Sequence, residues 1–291
     1  MSDFLSMIPY TLGGALIIVF LLILIRALYE PFTLESSSVL LTDSYEEGIL
    51  DQAETSILRL VFFSDLHANI SPLSEKKILA AVFAEPADII LFGGDITSRT
   101  SSPAAGIHRL QRIAEEAKKR GIPCYAVRGN HDGSIDESIL LSSGFRFLEN
   151  ESVSYMTADG VRYRITGLSD SGKENRIWPS VPMPRDTDTE SIPRHRHICL
   201  VHNPEYIVKM SGLPYKYQLS GHFHGGQIYM PFHLEYKLFR SETVASEGMY
   251  KGIFRKNGVI GYITRGVGCV LFPLRLFSKP EITHITIKEL S

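Results

Sequence analysis

Cysteine is scarce in this 291-residue sequence: Cys124, Cys199 and Cys269 lie far apart, in neither C-x-x-C nor disulfide-framework spacing. That argues against a disulfide scaffold and fits a reducing compartment. An excess of positive charge is also missing, with 30 Lys and Arg against 32 Asp and Glu, a net charge of −2 and a pI near 6.6. No overall basic field marks nucleic acid as a partner, so none is expected, although a local patch is compatible with these totals. Tryptophan occurs once, at Trp178, and there is neither an internal repeat nor a low-complexity tract. What remains, 44% hydrophobic and 21% charged, is ordinary globular composition with room for a sizeable core.

One segment departs from that average. Ile8 to Ile25 (IPYTLGGALIIVFLLILI) is an uncharged run of 18 residues, close to the roughly 20 that cross a bilayer core as a helix. A signal peptide is the first rival, but only Asp3 is charged before the run, and no small-x-small cleavage site follows it. A buried helix is the second, and a run apolar on every side suits it poorly. The expectation is a single-pass anchor, with Arg26 placing the following residues in the cytoplasm, at the inner (cytoplasmic) membrane. Residues 1–28 are therefore read as anchor, 29–56 as a serine- and acid-containing linker, and 57–291 as the folded domain.

From Ile57 the pattern is β-α-β-α-β: buried strands at 57–63, 88–92 and 124–127, with amphipathic helices at 74–84 and 104–120. A short helix at 137–142 follows. Strands are then expected at 145–148, 152–157, 161–168, 198–201, 217–220, 252–255, 259–264 and 281–287, with Asn257-Gly258 as a hairpin turn. Between them, 169–194 reads as an inserted loop rich in charge and proline.

The segment Gln218 to Ile228 (QLSGHFHGGQI) sets His222 and His224 one residue apart among glycines. Similar clusters fall at other strand ends: Asp65-Leu66-His67, Gly93-Gly94-Asp95, Gly129-Asn130-His131-Asp132 and His202-Asn203. In open α/β sheets the crevice beyond the strand C-termini binds ligands, so these clusters can converge on one site. Taken singly, each has a plain alternative: Asp65 or Asp95 as a helix N-cap, His67 or His202 as a core histidine, Gly93-Gly94 as a tight turn. Together they are hard to assign to separate accidents. Carboxylate, imidazole and amide oxygen suit Mn, Fe, Zn or Co better than an all-oxygen calcium site or a thiolate zinc site. If the i, i+2 spacing puts Asp65 with His67, and His222 with His224, on one side of the chain, the set holds enough ligands for two ions bridged by Asp95.

The ordered series D-L-H, G-G-D, G-N-H-D, V-H-N-P (Val201–Pro204) and G-H-F-H-G-G-Q (Gly221–Gln227) resembles the calcineurin-like metallophosphoesterase family. T-R-G-V-G at Thr264–Gly268 and P-L-R-L-F-S-K-P-E-I at Pro273–Ile282 resemble its membrane-associated bacterial branch, which includes anchored phosphodiesterases and a UDP-2,3-diacylglucosamine pyrophosphatase of lipid A synthesis. The resemblance implies an α/β fold of four layers, αββα, in which two mixed sheets pack face to face behind one transmembrane helix. It implies two divalent ions, Mn foremost, the first on Asp65, His67, Asp95 and His224, the second on Asp95, Asn130, His202 and His222. His131 is then the general acid or charge stabiliser, oriented by Asp132.

The expected activity is phosphohydrolysis, with the lipid-linked nucleotide UDP-2,3-diacylglucosamine as the favoured substrate and Lys173, Arg176, Trp178, Arg240 and Arg265 as its contacts. Val270–Phe277 reads either as an apolar lip to the site or as a core strand and turn. The rivals are a general phosphodiesterase or phosphomonoesterase, and a scaffold that lost catalysis; every expected ligand position is filled, which argues against the scaffold.

Overall fold

The run ILRLVFF at Ile57–Phe63 forms a strand whose alternate side chains serve two cores. Leu58, Leu60 and Phe62 point into one apolar cluster, Val61 and Phe63 into another. A strand buried on both faces needs a layer on each side, which accounts for its near-continuous apolar sequence. The computed structural model describes residues 2–42, 57–98, 101–168, 192–209 and 215–288.

The first sheet contains β1 (Glu35–Thr42), β2 (Ile57–Phe63), β3 (Ile89–Phe92), β4 (Cys124–Ala126), β5 (Arg146–Phe147) and β12 (Glu281–Lys288), in the order β1-β12-β2-β3-β4-β5. The second contains β6 (Glu151–Met156), β7 (Arg162–Leu168), β8 (His197–Val201), β9 (Tyr217–Ser220), β10 (Gly252–Lys256) and β11 (Val259–Ile263), in the order β10-β11-β9-β8-β7-β6. Both are mixed: β2, β3, β4 and β5 run parallel, as do β7, β8, β9 and β11, while β12 pairs antiparallel with β2 and β10 with β11. The facing sides enclose Leu60, Leu91, Tyr163, Ile165, Leu200, Leu219 and Ile285.

Helices cover the outer faces. α2 (Glu75–Val82) starts at Ser74, whose hydroxyl accepts the Lys77 N–H at 3.4 Å. α3 (Ala104–Lys119) turns Ile107, Leu110, Ile113 and Ala117 to the first sheet, the spacing of one helix face, and α4 (Glu137–Ser142) adds Leu140. Over the second sheet, α5 (Leu234–Phe239) and α6 (Thr243–Ser246) contribute Tyr236, Val244 and Ala245 to a smaller cluster. These four layers are the expected architecture. The turn at Asn257-Gly258 joins β10 to β11 with both residues at positive φ, as a tight hairpin requires. α5 and α6, each under two turns long, have too few residues for a readable period and are additions to the sequence reading.

The linker needs correction. Residues 35–42, within the span read as linker, form β1, in parallel register with β12 from Glu35↔Glu281 to Thr42↔Lys288. An edge strand shows half its side chains to solvent, so Ser36 and Ser38, which suggested a loose arm, instead line the exposed row. Ser37 donates to Glu281 at 2.7 Å, and Leu41, at the far end, is 1% exposed in the inter-sheet core. The predicted lip or core strand at Val270–Phe277 is not a strand: Leu271, Phe272 and Phe277 are exposed, while Arg275 and Leu276 are buried.

α1 (Ser2–Tyr29) contains the apolar run, and Gly13–Phe32 is long and apolar enough to cross a membrane, with mean hydropathy 2.2. Its end is tied to the domain. The Arg275 N–H donates to Ala27 O at 3.1 Å, and the buried Glu30 carboxylate accepts from Arg26 Nε at 3.1 Å and from the Ser278 N–H.

If β1 is an integral strand, Leu41→Ala should destabilise the domain by about 2–5 kcal/mol, the usual cost of emptying a buried leucine site. Urea unfolding of the full chain in detergent measures it. A loss within a few tenths of a kcal/mol would mean that 35–42 is only loosely attached.

Candidate metal centre

Every candidate ligand sits just beyond a strand end. Asp65 and His67 follow β2, Asp95 follows β3, Asn130 to Asp132 follow β4, His202 follows β8, and His222 and His224 follow β9. Strand alternation is not what aligns them. Asp65, His67, Asp95, His222 and His224 all have positive φ, between 34° and 74°, so each chain curls through the left-handed region as it leaves its sheet. Such conformations cost non-glycine residues of order 1 kcal/mol or more and persist where the surroundings enforce them. Two glycines make the crowding possible: a Cβ at Gly129 would run into the Asp95 carboxylate, and one at Gly221 into that of Asp65.

Two compact donor groups result, Asp65–His67–His224 and Asp65–Asp95–His202, with the ligand atoms of each within 4.8 Å of one another. Asp95 Oδ2 lies 3.4 Å from His67 Nε2 and 3.2 Å from His202 Nε2. Asp65 Oδ1 lies 3.2 Å from His224 Nε2 and 3.9 Å from His202 Nε2. His222 Nδ1 faces His202 Nε2 at 3.3 Å.

The protonation pattern suits cations. His202 Nδ1 lies 2.7 Å from Gly93 O, a pure acceptor, so this nitrogen carries the proton and Nε2 turns its lone pair toward Asp95. His222 Nε2 lies between Glu242 Oε1 at 3.2 Å and Arg240 Nη1 at 3.1 Å, while Nδ1 faces His202. Both ring nitrogens of His67 and Asn130 Oδ1 are buried without a hydrogen-bond partner. Unpaired polar atoms of that kind cost about 1–3 kcal/mol each. Divalent ions among these lone pairs and carboxylates would satisfy them together, so the residues fit the group.

Electrostatics point the same way. Burial pushes the Asp65 and Asp95 carboxyls up, but His224 and His202 beside Asp65, and His202 and His67 beside Asp95, hold both below the usual carboxylate range. Burial drives His224 down to about 4 and also lowers His131 and His222. For His67, burial pulls down and the Asp95 carboxylate 3.4 Å from Nε2 outweighs it, so its proton competes with a cation for that carboxylate. Ionised carboxylates among mostly neutral imidazoles are the ligand forms metal binding requires.

The remaining candidates divide. His131 is partly exposed at the mouth, its N–H donating to Asp95 Oδ1 at 2.9 Å and its ring 5.2 Å from that of His67. Asp132 does not orient that ring as expected: its carboxylate accepts the backbone N–H groups of Asp95, Ile96 and Gly129 at 2.8–2.9 Å. It ties the β3 and β4 exits together, while burial and the Asp95 charge push its carboxyl up to about 7. Arg240 does reach the site, donating to His222 O at 2.9 Å, but it too is engaged, its Nη1 lying 3.1 Å from His222 Nε2 and 3.6 Å from Glu242 Oε1. Arg265 does not offer a free guanidinium, because it pairs with Glu281 at 3.0 Å and Glu35 at 3.1 Å. Lys173, Arg176 and Trp178 lie outside the described residues.

Two residues went unnoticed in the sequence. Glu242 supports His222 through Nε2, and nothing around it distinguishes it from a surface acid. Arg275, 0% exposed, donates to the carbonyls of Gly268, Ser278, Arg265, Gly266 and His224, pinning the segment that carries His224. A lone arginine inside the apolar run VLFPLRLF was a readable signal.

His131 belongs to neither donor group and meets Asp95 through its backbone N–H and, at 4.0 Å, its ring Nε2, so His131→Ala should keep the metal content and lose about 10²-fold or more in rate. Elemental analysis beside steady-state kinetics checks this; fewer bound ions than in the parent would make His131 a ligand.

Comparison with known proteins agrees with the geometry. Residues 58–237 match the calcineurin-like phosphoesterase family. The chain is 31% identical over 249 residues to the uncharacterized metallophosphoesterase YkoQ of Bacillus subtilis (strain 168), covering 82% of this chain and 85% of that protein. It is 28% identical over 240 residues to phosphodiesterase YaeI of Escherichia coli (strain K12), covering 79% and 82%. With UDP-2,3-diacylglucosamine pyrophosphatase LpxG of Chlamydia muridarum it shares 26% identity over 285 residues, covering 77% and 82%. At this extent of match the chain belongs to the calcineurin-like phosphoesterases, metal-dependent phosphoester hydrolases that work with a dimetal centre.

Proposed function

We propose that this chain is a membrane-anchored pyrophosphatase that cleaves UDP-2,3-diacylglucosamine to UMP and a diacylglucosamine 1-phosphate. The observation that carries the reading is the joining of the donor cluster to an apolar helix through one residue: Arg275 donates its backbone N–H to Ala27 O in α1 and its guanidinium Nη1 to His224 O beside the centre. A catalytic domain tied in this way suits a phosphoanhydride whose acyl chains reside in a bilayer. The LpxG relatives support the substrate, and Arg26 at the end of α1 supports a cytoplasmic domain at the inner membrane. A transmembrane protein with a metallophosphoesterase domain, from Danio rerio, is 24% identical over 247 residues.

In this reading Asp65, His67, Asp95 and His224 would hold one ion, and Asp95, Asn130, His202 and His222 the other. Manganese is proposed over calcium because of the imidazoles. Bound ions supply Lewis acidity and neutralise the charge that develops in an in-line displacement at phosphorus. His131 places an N–H at the open side, where it can protonate the leaving phosphate oxygen or stabilise its charge. Asp132 keeps Asp95 and Gly129 in register, and Arg240 is the described basic residue next to His222 for a pyrophosphate oxygen.

A general phosphodiesterase is the second reading, favoured by the likeness to YaeI and by the engagement of Arg265 with two carboxylates. The acyl chains separate the two. UDP-2,3-diacylglucosamine should be hydrolysed at least about 100-fold more efficiently, by kcat/KM, than UDP-sugars without acyl chains. That margin is about 2.7 kcal/mol, modest beside the roughly 0.8 kcal/mol per buried CH₂. Equal efficiencies on acylated and bare UDP-sugars would leave only the phosphodiesterase reading.

A further inference from the structure

Exposed apolar side chains gather where α1 meets the domain. Leu271 is 78% exposed, Phe272 65%, Phe277 50% and Phe232 80%. Tyr229 links the two segments that carry them: its N–H donates to Leu276 O at 2.9 Å, and its ring meets Phe277 edge-on at 6.1 Å. Leu271, Phe277 and Phe232 also have positive φ, uncommon for bulky residues. Contiguous apolar surface of this kind marks an interaction site.

The position of α1 identifies the occupant. Ile8–Ile25 is an 18-residue run, so as a helix rising 1.5 Å per residue it spans about 27 Å, near the roughly 30 Å of a hydrocarbon core. The core boundary then falls at Arg26–Ala27. That is the level at which the domain is fastened, through Arg275 N–H to Ala27 O, Ser278 N–H to Glu30, and the Arg26 guanidinium 4.1 Å from the Phe277 ring centre. A loop fixed beside the helix at that depth cannot stand clear of the bilayer. Leu28 and Tyr29, both exposed, continue the apolar surface, and Arg26 and Lys279 put partly exposed cations at its edge, as suits an anionic interface.

We infer that Tyr229, Phe232, Leu271, Phe272 and Phe277 form a second membrane contact that lays the catalytic domain against the lipid surface. The contact rests on α1 spanning the bilayer and not on which phosphoester is cleaved. It bears on access, because the strap from His224 to Tyr229 has the metal centre at one end and this surface at the other. A phosphoester in the headgroup layer can then reach the ions without leaving the membrane.

Site-specific quenching tests the contact. Cys124, Cys199 and Cys269 are buried, so single substitutions Phe272→Cys, Ile18→Cys in α1 and Leu141→Cys on α4 can carry an environment-sensitive fluorophore in the full chain. Each labelled protein is reconstituted in phosphatidylethanolamine–phosphatidylglycerol vesicles, after its hydrolysis of a soluble bis-aryl phosphate shows that it is folded. The inference predicts that spin-labelled lipid quenches the labels at 272 and 18 several-fold more than the label at 141. Quenching at 272 no greater than at 141, with 18 quenched, overturns the contact while the anchor stands. A blue-shifted but unquenched label at 272 overturns it too and points to cover by protein, a second copy included. An unquenched label at 18 removes the anchor and the contact together.

Discussion

Two buried carboxylates hold the site together, Asp65, common to both donor groups, and Asp95. Asp95 Oδ2 stands between His67 Nε2 at 3.4 Å and His202 Nε2 at 3.2 Å, and Asp95 Oδ1 accepts the His131 N–H at 2.9 Å. Buried anionic oxygens that close to imidazole lone pairs are tolerable only with protons or cations between them. Much nearby structure serves to hold Asp95 there: its backbone is curled to φ 62°, its N–H is clamped by Asp132, and Gly129 leaves room for its carboxylate. His67 arrives from the first sheet and His202 from the second, so the site exists only where the two sheets meet.

Much of this was legible in the sequence because the strands obey simple rules. The run ILRLVFF suits a strand buried on both faces, and the Asp, His and Asn clusters stand where such strands end. β1 was hidden because an edge strand beginning Glu-Ser-Ser-Ser needs apolar residues on one side only, and its partner β12 lies at the other end of the chain. The means of ligand alignment was hidden too. Asp65 and His67 share a side because each adopts a left-handed conformation, which no i, i+2 count foretells. Asp132 followed the His131 it was expected to orient, yet its carboxylate is taken by backbone amides contributed by two loops. Arg265 looked like a substrate contact because Glu35 and Glu281, which pair with it, are distant in sequence.

Arg275 links chemistry to location. A buried guanidinium is costly unless its donors are satisfied, and here they are spent on carbonyls of the 265–268 turn, Ser278 and His224. The same residue's backbone N–H holds the end of α1. The end of the helix and the segment carrying His224 therefore share one residue as their support.

The central proposal is that two ions share Asp95. Anomalous diffraction from crystals of the manganese-loaded full chain tests it most directly. The account predicts two peaks roughly 3.5–4 Å apart with the Asp95 carboxylate between them, one beside Asp65, His67 and His224 and the other beside Asn130, His202 and His222. A single peak at saturating manganese, or a pair bridged by a residue other than Asp95, would contradict it.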